Sequence, residues 1–282
     1  MFRHWQTFGL AVLGALALAC EGTGQAGRPE PTRRPQAGLP ASMAALGDSI
    51  TAGYGSCITL VACHRNSWST GDGTQVDSHY RRIRAADPRI TDRAVNYAVP
   101  GARADALLGQ ADAAVRAKAE YVTILIGAND ACRARVADMT DPQTFRRHID
   151  AALRRLSDGL PEARILVVSI PDLHRLWEVG HDDERAVGAW NRGVCPSLLA
   201  NPTSTADADR QRRRQVSQRV DAYDRELARA CRGYGKHCRY DGGSVHRVRF
   251  TLDLVNQLDY FHPNAAGQDK LAEVTYPRRF TW

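Results

Sequence analysis

Short apolar runs alternate with amphipathic stretches along most of the chain. Nearly continuous apolar runs are typical of buried strands, and they end at Leu46 or span Tyr121–Ile126 and Ala163–Ile170. Two shorter strands are predicted over 93–99 and 239–250, and helices are predicted over 77–86, 102–118, 142–160, 205–231 and 265–274. Strands that alternate with helices favour a parallel sheet with helices on both faces. The pattern predicts an α/β protein, a three-layer α/β/α sandwich around a central, mainly parallel sheet of five strands.

Two stretches interrupt this alternation. Residues 57–73 are rich in glycine, serine, threonine and cysteine, which predicts an ordered surface loop. Residues 172–201 carry Trp177, Trp190 and Cys195 with a less regular pattern. We expect this second stretch to form one wall of a cleft. A structural helix packed on the edge of the sheet is the alternative.

The amino terminus differs from the rest of the chain. Leu10–Ala19 is a run of small apolar residues that is too short to span a bilayer, so residues 1–19 predict a secretory signal peptide. The alanines at its end fit ordinary cleavage, whereas Cys20 directly after them is what a bacterial lipoprotein presents for lipidation. Ala17 departs from the usual lipoprotein pattern, which has leucine three residues before the cysteine. Both interpretations of Cys20 stay open.

The remaining sequence divides into a tether and a domain. Residues 20–39 consist mainly of glycine, proline, glutamine, threonine and arginine, which predicts a disordered tether. Residues 40–282 contain no second linker of this kind. With 43% hydrophobic residues over 282 positions, the chain is long enough to bury a full core as one large domain.

The cysteines favour disulfides in an exported protein. Apart from Cys20, six cysteines remain, at positions 57, 63, 132, 195, 231 and 238. The sequence has no Cys-x-x-Cys pair and no histidine at zinc-finger spacing, so three disulfides are favoured over a metal site. The two short spacings suggest the pairs Cys57–Cys63 and Cys231–Cys238. The pair Cys132–Cys195 is then left to join distant parts of the chain.

The net charge of +7 comes almost entirely from arginine. Four arginines and two glutamates in residues 1–39 account for +2, which leaves +5 on the domain. The densest run, Arg210–Arg214, lies in a predicted helix that also carries several acidic residues, as expected for a solvated helix face. Aromatic residues are not interleaved with these arginines, so we expect no nucleic-acid partner. Attraction to anionic lipid or cell-wall surfaces stays open.

Glycines and polar side chains follow the ends of three predicted strands. Gly47-Asp48-Ser49 follows the first strand, Gly101 the second, and Asn129 the third. Ligands bind outside the carboxyl ends of strands in such sheets, so we expect these residues to meet on one rim. A serine at a strand-to-helix turn can present its hydroxyl as a nucleophile beside outward-pointing N–H groups. Taken alone, Gly-Asp-Ser is also a common turn and capping sequence.

A carboxylate and an imidazole occur together near the carboxyl terminus. Asp259 and His262 are three residues apart, so one turn can present both side chains in the same direction. Such a carboxylate holds the imidazole in one tautomer and stabilises the imidazolium. A lone Asp-x-x-His is usually a surface turn. Together with Ser49, Gly101 and Asn129 it predicts a nucleophile, its base and donors for an oxyanion.

These four blocks, in this order, resemble the SGNH (GDSL) hydrolase family. The blocks are Gly47-Asp48-Ser49, Val99-Pro100-Gly101-Ala102, Gly127-Ala128-Asn129-Asp130 and Asp259-Tyr260-Phe261-His262. The resemblance implies a flavodoxin-like fold with Ser49 as nucleophile, His262 as general base and Asp259 as its orienting carboxylate. It also implies an oxyanion hole made by the backbone N–H groups of Ser49 and Gly101 and the side-chain amide of Asn129. Asp48 and Asp130 are expected to anchor loops through hydrogen bonds.

The resemblance is closest to the phospholipase-B-like and secreted actinobacterial lipase branch. The segments 122–132 and 169–176 carry this likeness, and six cysteines fit it as well. The Gly-x-Ser-x-Gly elbow of ordinary α/β-hydrolases is absent, because Thr51 occupies its last position. That substitution favours the SGNH fold over the α/β-hydrolase fold.

The sequence therefore predicts an exported serine carboxylic-ester hydrolase, secreted or anchored through Cys20 on the extracellular face of the cell membrane. Lipid or phospholipid acyl esters are the expected substrates, as the resemblance to that branch implies, and the chemistry needs no metal or organic cofactor. A carbohydrate O-acetyl esterase of the same family is the first alternative. A non-catalytic surface-binding lipoprotein is the second, supported by Cys20 and the tether. We expect a monomer.

Overall fold

A parallel sheet of five strands forms the centre of the structure, a computed structural model that describes residues 38–282. The strands are β1 (Met43–Gly47), β2 (Ala94–Asn96), β3 (Tyr121–Leu125), β4 (Arg164–Val167) and β5 (Cys238–Tyr240). Their order is β2-β1-β3-β4-β5, and every neighbouring pair is parallel. All residues of β1 and β3 are buried, as expected for central strands covered on both faces. The predicted five-stranded sheet is confirmed.

Helices cover the sheet on both faces and give the predicted three layers. The described α-helices are α1 (His79–Ala86), α2 (Leu107–Arg116), α3 (Ala128–Ala131), α4 (Pro142–Gly159), α5 (Leu173–Gly180), α6 (Glu184–Trp190), α7 (Pro196–Leu199), α8 (Asp207–Tyr234) and α9 (Ala265–Thr275). Short 3-10 helices lie at His64–Asn66, Pro88–Ile90, Ala104–Ala106, Val136–Asp138 and Leu252–Leu254. Helix α4 packs against both α2 and α8 in one layer. Helices α1 and α9 are joined to β3 by the buried His79, which contacts the hydroxyls of Tyr121 and Thr275 at 2.9 Å each.

The last predicted strand is much shorter than expected. The pattern indicated residues 239–250, but β5 ends at Tyr240. The side chain of Asp241 accepts hydrogen bonds from the N–H groups of Gly243 and Val245, and this turns the chain away from the sheet. Gly242 and Gly243 adopt φ angles of +71° and +82°, which are not strand conformations. The β-like composition after residue 240 therefore belongs to a folded loop.

Two other predicted elements have different bounds. The expected helix 102–118 begins with a 3-10 turn, and its α-helical part is α2. The expected helix 205–231 continues to Tyr234 in α8 and ends at Gly235, which has a φ of +102°. The irregular stretch 172–201 contains three short helices, α5 to α7. No helix within residues 38–282 combines the length and the apolar character needed to cross a bilayer.

All three predicted disulfides are present. Cys57–Cys63 closes the start of the 57–73 loop, and Cys231–Cys238 links the end of α8 to the start of β5. Cys132–Cys195 spans 63 positions and ties the end of α3 to the start of α7. The predicted signal peptide over 1–19, Cys20 and nearly all of the predicted tether over 20–39 lie outside the described residues.

Candidate active site

The turn after β1 presents Ser49 at the carboxyl edge of the sheet. Gly47 has a φ of +143°, and a Cβ there would lie 2.1 Å from the carbonyl oxygen of Leu125, so only glycine fits. The side-chain amide of Gln110 holds this glycine on both sides, accepting from its N–H at 2.7 Å and donating to its carbonyl at 2.9 Å. Ser49 is 6% exposed, so its hydroxyl lies in a nearly enclosed position. The turn is therefore fixed before any substrate binds.

Ser49, His262 and Asp259 form one continuous series of hydrogen bonds. His262 Nε2 lies 2.9 Å from Ser49 Oγ, and His262 Nδ1 lies 2.6 Å from Asp259 Oδ2. The other carboxylate oxygen of Asp259 accepts from the N–H groups of Phe261 and His262 at 2.9 and 3.2 Å. An acceptor at Nδ1 favours the tautomer that carries its proton there. The lone pair of Nε2 then faces the serine hydroxyl.

The loop that carries Asp259 and His262 is held from three directions. The buried indole of Trp190 donates to the carbonyl of Tyr260 at 3.0 Å, and Tyr260 itself has a φ of +50°. Asn256 accepts from the N–H of Tyr260 and donates its own N–H to the carbonyl of His262, both at 2.8 Å. Residues 172–201, the predicted cleft wall, therefore support this loop through Trp190. The Tyr54 ring packs against the His262 ring, with their centroids 4.6 Å apart.

Three hydrogen-bond donors surround the Ser49 turn. Because β1 lies between β2 and β3, the residues that follow these three strands meet at one edge of the sheet. Gly101 follows β2 with a φ of +82°, and Asn129 follows β3 and donates to the carbonyl of Ala102 at 3.0 Å. That bond uses one amide hydrogen of Asn129 and leaves the other. Among residues 38–282, the backbone N–H groups of Ser49 and Gly101 have no acceptor.

Two buried carboxyl groups hold the loops of this site. Asp48 Oδ1 accepts from the N–H of Ile50 at 2.9 Å, and Asp130 Oδ2 accepts from the N–H of Ala104 at 3.0 Å. Burial, and to a smaller extent the charge of Asp130, raise the pKa of Asp48 to about 7. Burial also raises the pKa of Asp130. Both carboxyls bind backbone N–H groups of loops, as the sequence predicted.

An apolar pocket adjoins the serine and the histidine. Its cavity volume is small, about 30 Å³. Ile50, the neighbour of Ser49 in sequence, and Phe261, the neighbour of His262, both line it. The other lining residues are Pro171, Asp172, Leu173, Leu176, Phe250, Val255 and Pro263. Its apolar side chains form a surface close to the serine and the histidine against which a hydrocarbon group can pack.

Sequence reasoning missed three residues that shape this site. Gln110 lies on the buried face of α2, where a polar side chain at an apolar position is a detectable signal. Asn256 and Tyr54 carry no comparable signal, because asparagine and tyrosine are ordinary loop residues.

Within residues 38–282, no group of three or more His, Cys, Asp or Glu side chains is arranged to bind a metal ion.

The model of the GDSL-like lipase/acylhydrolase family matches residues 45–270. This range contains all four sequence blocks described above. The membrane-associated phospholipase B1 of Rattus norvegicus is 28% identical over 191 residues. The aligned part is 55% of this chain but 13% of the rat protein, so the chain corresponds to a small portion of that relative.

Solved structures share the fold at low sequence identity. An acetylxylan esterase, Axe2 of Geobacillus stearothermophilus, has a TM-score of 0.51 and 16% identity, with 83% of this chain and 91% of that chain covered. A GDSL-like protein of Parabacteroides merdae has a TM-score of 0.53 and 14% identity, with 83% and 92% covered. These similarities support the three-layer fold.

Proposed function

The chain belongs to the GDSL-like lipase/acylhydrolase family and is a carboxylic-ester hydrolase, and we propose that it acts through an acyl-enzyme on Ser49. The observation that carries the proposal is the series of hydrogen bonds from Asp259 through His262 to Ser49 Oγ, at 2.6 and 2.9 Å. A serine hydroxyl is a weak nucleophile unless a base removes its proton, and this geometry supplies the base.

The proposed reaction has two halves. Ser49 Oγ attacks the ester carbonyl while His262 Nε2 takes its proton, and Asp259 stabilises the resulting imidazolium. The negative charge that develops on the carbonyl oxygen is stabilised by the N–H groups of Ser49 and Gly101 and the free amide hydrogen of Asn129. The imidazolium then protonates the departing alkoxide. Water, deprotonated by the same imidazole, then attacks the acyl carbonyl. The bond to Ser49 Oγ breaks, the imidazolium returns the proton to this oxygen, and the acid leaves.

We propose acyl esters of lipids as the substrates. The similarity to a membrane-associated phospholipase B1 supports this proposal, and so do the apolar side chains beside Ile50 and Phe261, which can pack against a hydrocarbon chain. A carbohydrate O-acetyl ester is the second candidate. It is supported by a polar depression whose lining includes Asn66, Gln75 and Asn264, where the exposed side-chain amide of Gln75 can bind sugar hydroxyls.

The test is a series of p-nitrophenyl esters from acetate to dodecanoate, followed by phosphatidylglycerol and acetylated xylan. We expect kcat/KM to rise from acetate to octanoate and phospholipid to be hydrolysed. Ser49→Ala should lower kcat at least about 10⁴-fold. Ser56→Ala is the matched control, because the Ser56 hydroxyl donates to the carbonyl of Gly53 in the same loop and faces no base. A steep preference for acetate together with turnover of acetylated xylan would favour the second candidate.

Two variants of one pocket residue test the acyl-binding role. Leu176 is buried in the lining of the pocket. Leu176→Trp should lower kcat/KM for octanoate and spare acetate, because the bulkier indole covers apolar surface that the longer chain contacts. Leu176→Ala should leave acetate unchanged and favour longer acyl chains. Equal effects of both variants on every chain length would contradict this role.

We also propose that the enzyme works outside the cytoplasm. The predicted signal peptide over 1–19 and three disulfides support export, since disulfides persist in oxidising compartments. The mass of the mature protein from its native host distinguishes a lipid-anchored form from a freely secreted form. Diacylglycerol on Cys20 indicates a membrane anchor, whereas an unmodified amino terminus produced by cleavage indicates free secretion. A mass that includes residues 1–19 would contradict export.

A further inference from the structure

Exposed apolar side chains are concentrated around the proposed active site. Within residues 38–282, the exposed large hydrophobic residues are Ile58, Val61, Val95, Val99, Leu108 and Leu258. Surface hydrophobic residues are normally scattered singly over a soluble protein. Four of these six lie within two residues of a proposed site residue or in the loop hydrogen-bonded to the Ser49 turn, namely Ile58, Val61, Val99 and Leu258, and we call these four the apolar rim. Their location calls for a partner that approaches the mouth of the site.

Ile58 and Val61 lie on a loop that is fastened to the Ser49 turn. The N–H of Gly55 donates to the carbonyl of Val61 at 3.1 Å, and the N–H of Cys63 donates to the carbonyl of Ala52 at 3.0 Å. The disulfide Cys57–Cys63 closes the same loop. Ile58 is nevertheless 93% exposed. The loop is therefore fixed while it presents an aliphatic side chain to solvent.

Leu258 belongs to the same side of the site. It directly precedes Asp259, and its N–H donates to Asn256 Oδ1 at 2.7 Å. The side-chain amide of Asn256 in turn donates to the carbonyl of Gly55, the residue that holds the Val61 loop. One asparagine thus connects the Leu258 segment to the Ile58 loop. Both segments lie beside His262, because a Cβ added at Gly55 would be only 3.5 Å from the Cβ of His262.

Val99 provides the part of the apolar rim nearest the oxyanion donors. It lies two residues before Gly101, and its N–H donates to the carbonyl of Gly47 at 3.1 Å. That bond places Val99 at the carboxyl end of β1, next to the nucleophile turn. The apolar rim therefore includes residues next to the nucleophile, the oxyanion donors and the carboxylate.

Positive charge accompanies the apolar rim. Arg65 lines the same depression as Ile58, and Arg192 donates to the carbonyl of Leu258 at 3.0 Å. Both arginines are exposed, and among residues 38–282 neither guanidinium lies within 4.0 Å of a carboxylate oxygen. Two exposed carboxylates, Asp72 and Asp253, lie in the same loop and in the neighbouring segment. Aliphatic side chains beside arginines that have no carboxylate partner complement a lipid surface, where phosphate groups lie above the hydrocarbon chains.

We propose that the apolar rim docks the protein on an anionic phospholipid surface. Ile58, Val61, Val99 and Leu258 enter the boundary between head groups and acyl chains, and Arg65 and Arg192 contact lipid phosphates. A lipid ester then reaches Ser49 from the surface without first dissolving in water. This inference rests on the proposed function, because it explains how an acyl ester held in a lipid layer meets the serine.

Vesicle binding tests the docking separately from catalysis. Full-length protein carrying Ser49→Ala and Cys20→Ser neither turns over lipid nor carries an acyl anchor. Its partition onto vesicles of phosphatidylcholine with phosphatidylglycerol is measured by flotation. Ile58→Ser with Leu258→Ser should lower the partition coefficient about tenfold for each side chain removed from the lipid. Val95→Ser with Leu108→Ser, two exposed residues outside the apolar rim, is the matched control and should leave binding unchanged.

The outcomes separate docking from catalysis and from other partners. Weaker binding in 0.5 M salt or to pure phosphatidylcholine supports the role of Arg65 and Arg192. Equal binding by the rim and control variants overturns the proposal, as does the absence of vesicle binding by the parent protein. A dimer that dissociates on Ile58→Ser, without vesicle binding, overturns it in favour of a second copy of the chain. Ester hydrolysis that survives Ser49→Ala would instead refute the proposed function.

Discussion

Asp48 allows a quantitative test of how the nucleophile turn is built. Its carboxyl group is fully buried, with Oδ1 bonded to the N–H of Ile50 and Oδ2 without a partner among residues 38–282. Burial raises its pKa from 3.8 to about 7. Asp48→Asn keeps an oxygen for the Ile50 N–H and removes the ionisable group. The substitution should therefore change the pH dependence of stability more than the structure.

The sign follows from the number of protons bound in each state. Between pH 3.8 and about 7 the native protein keeps the proton of Asp48, whereas the unfolded chain has released it. The free energy of unfolding therefore falls as the pH rises through this window. Each unit of pKa difference corresponds to about 1.4 kcal/mol, so the loss from pH 5 to pH 8 is about 3 kcal/mol. Asp48→Asn lacks this loss.

Urea unfolding at pH 5 and pH 8, with the disulfides intact, measures the effect. The free energy of unfolding of Asp48→Asn minus that of the wild type should rise by about 3 kcal/mol from pH 5 to pH 8. Other titrating groups are common to both proteins and largely cancel in this difference. Asp72→Asn, at an exposed position, is the control and should give a difference independent of pH. A pH-independent difference for Asp48→Asn would refute the reasoning.

Four further variants test the site and its framework. Asp259→Asn should lower kcat on p-nitrophenyl butyrate about 10⁴-fold, because the imidazole loses its acceptor and adopts the wrong tautomer; wild-type activity would contradict this. Gly47→Ala should abolish folding, as judged by circular dichroism, since its Cβ would lie 2.1 Å from a carbonyl oxygen. Gly109→Ala, in an open part of α2, should instead stabilise by about 0.5–1 kcal/mol in thermal unfolding. Cys132→Ser with Cys195→Ser should cost about 4 kcal/mol in urea unfolding, because 63 positions separate the two cysteines; a cost below 1 kcal/mol would contradict the chain-entropy argument.

The site could be predicted from sequence to the extent that it depends on the ends of parallel strands. Ser49, Gly101 and Asn129 follow β1, β2 and β3, and adjacent parallel strands bring their carboxyl ends together. The short spacings of Cys57–Cys63 and Cys231–Cys238 likewise left few alternatives for the third disulfide. In the first case the order of strands and loops along the chain determines which residues meet, and in the second case the short cysteine spacings do.

Features that depend on tertiary contacts could not be predicted in this way. The chain after Tyr240 has strand-like composition, but the side chain of Asp241 bonds two backbone N–H groups and forms a loop. The role of Asn256 depends on a contact with Gly55, 201 positions away, which no local pattern encodes. The exposure of Ile58 is similar, because hydropathy alone predicts burial for isoleucine. Pocket shape and surface character need the packed structure.

Covalent labelling of the nucleophile tests the central claim most directly. The enzyme is incubated with a fluorophosphonate probe, residual ester hydrolysis is followed over time, and the labelled peptide is identified by mass spectrometry. The account predicts one equivalent of probe on Ser49, loss of activity in proportion to labelling, and no labelling of Ser49→Ala. Inactivation with the probe on another residue, or full activity after Ser49 is labelled, would contradict it.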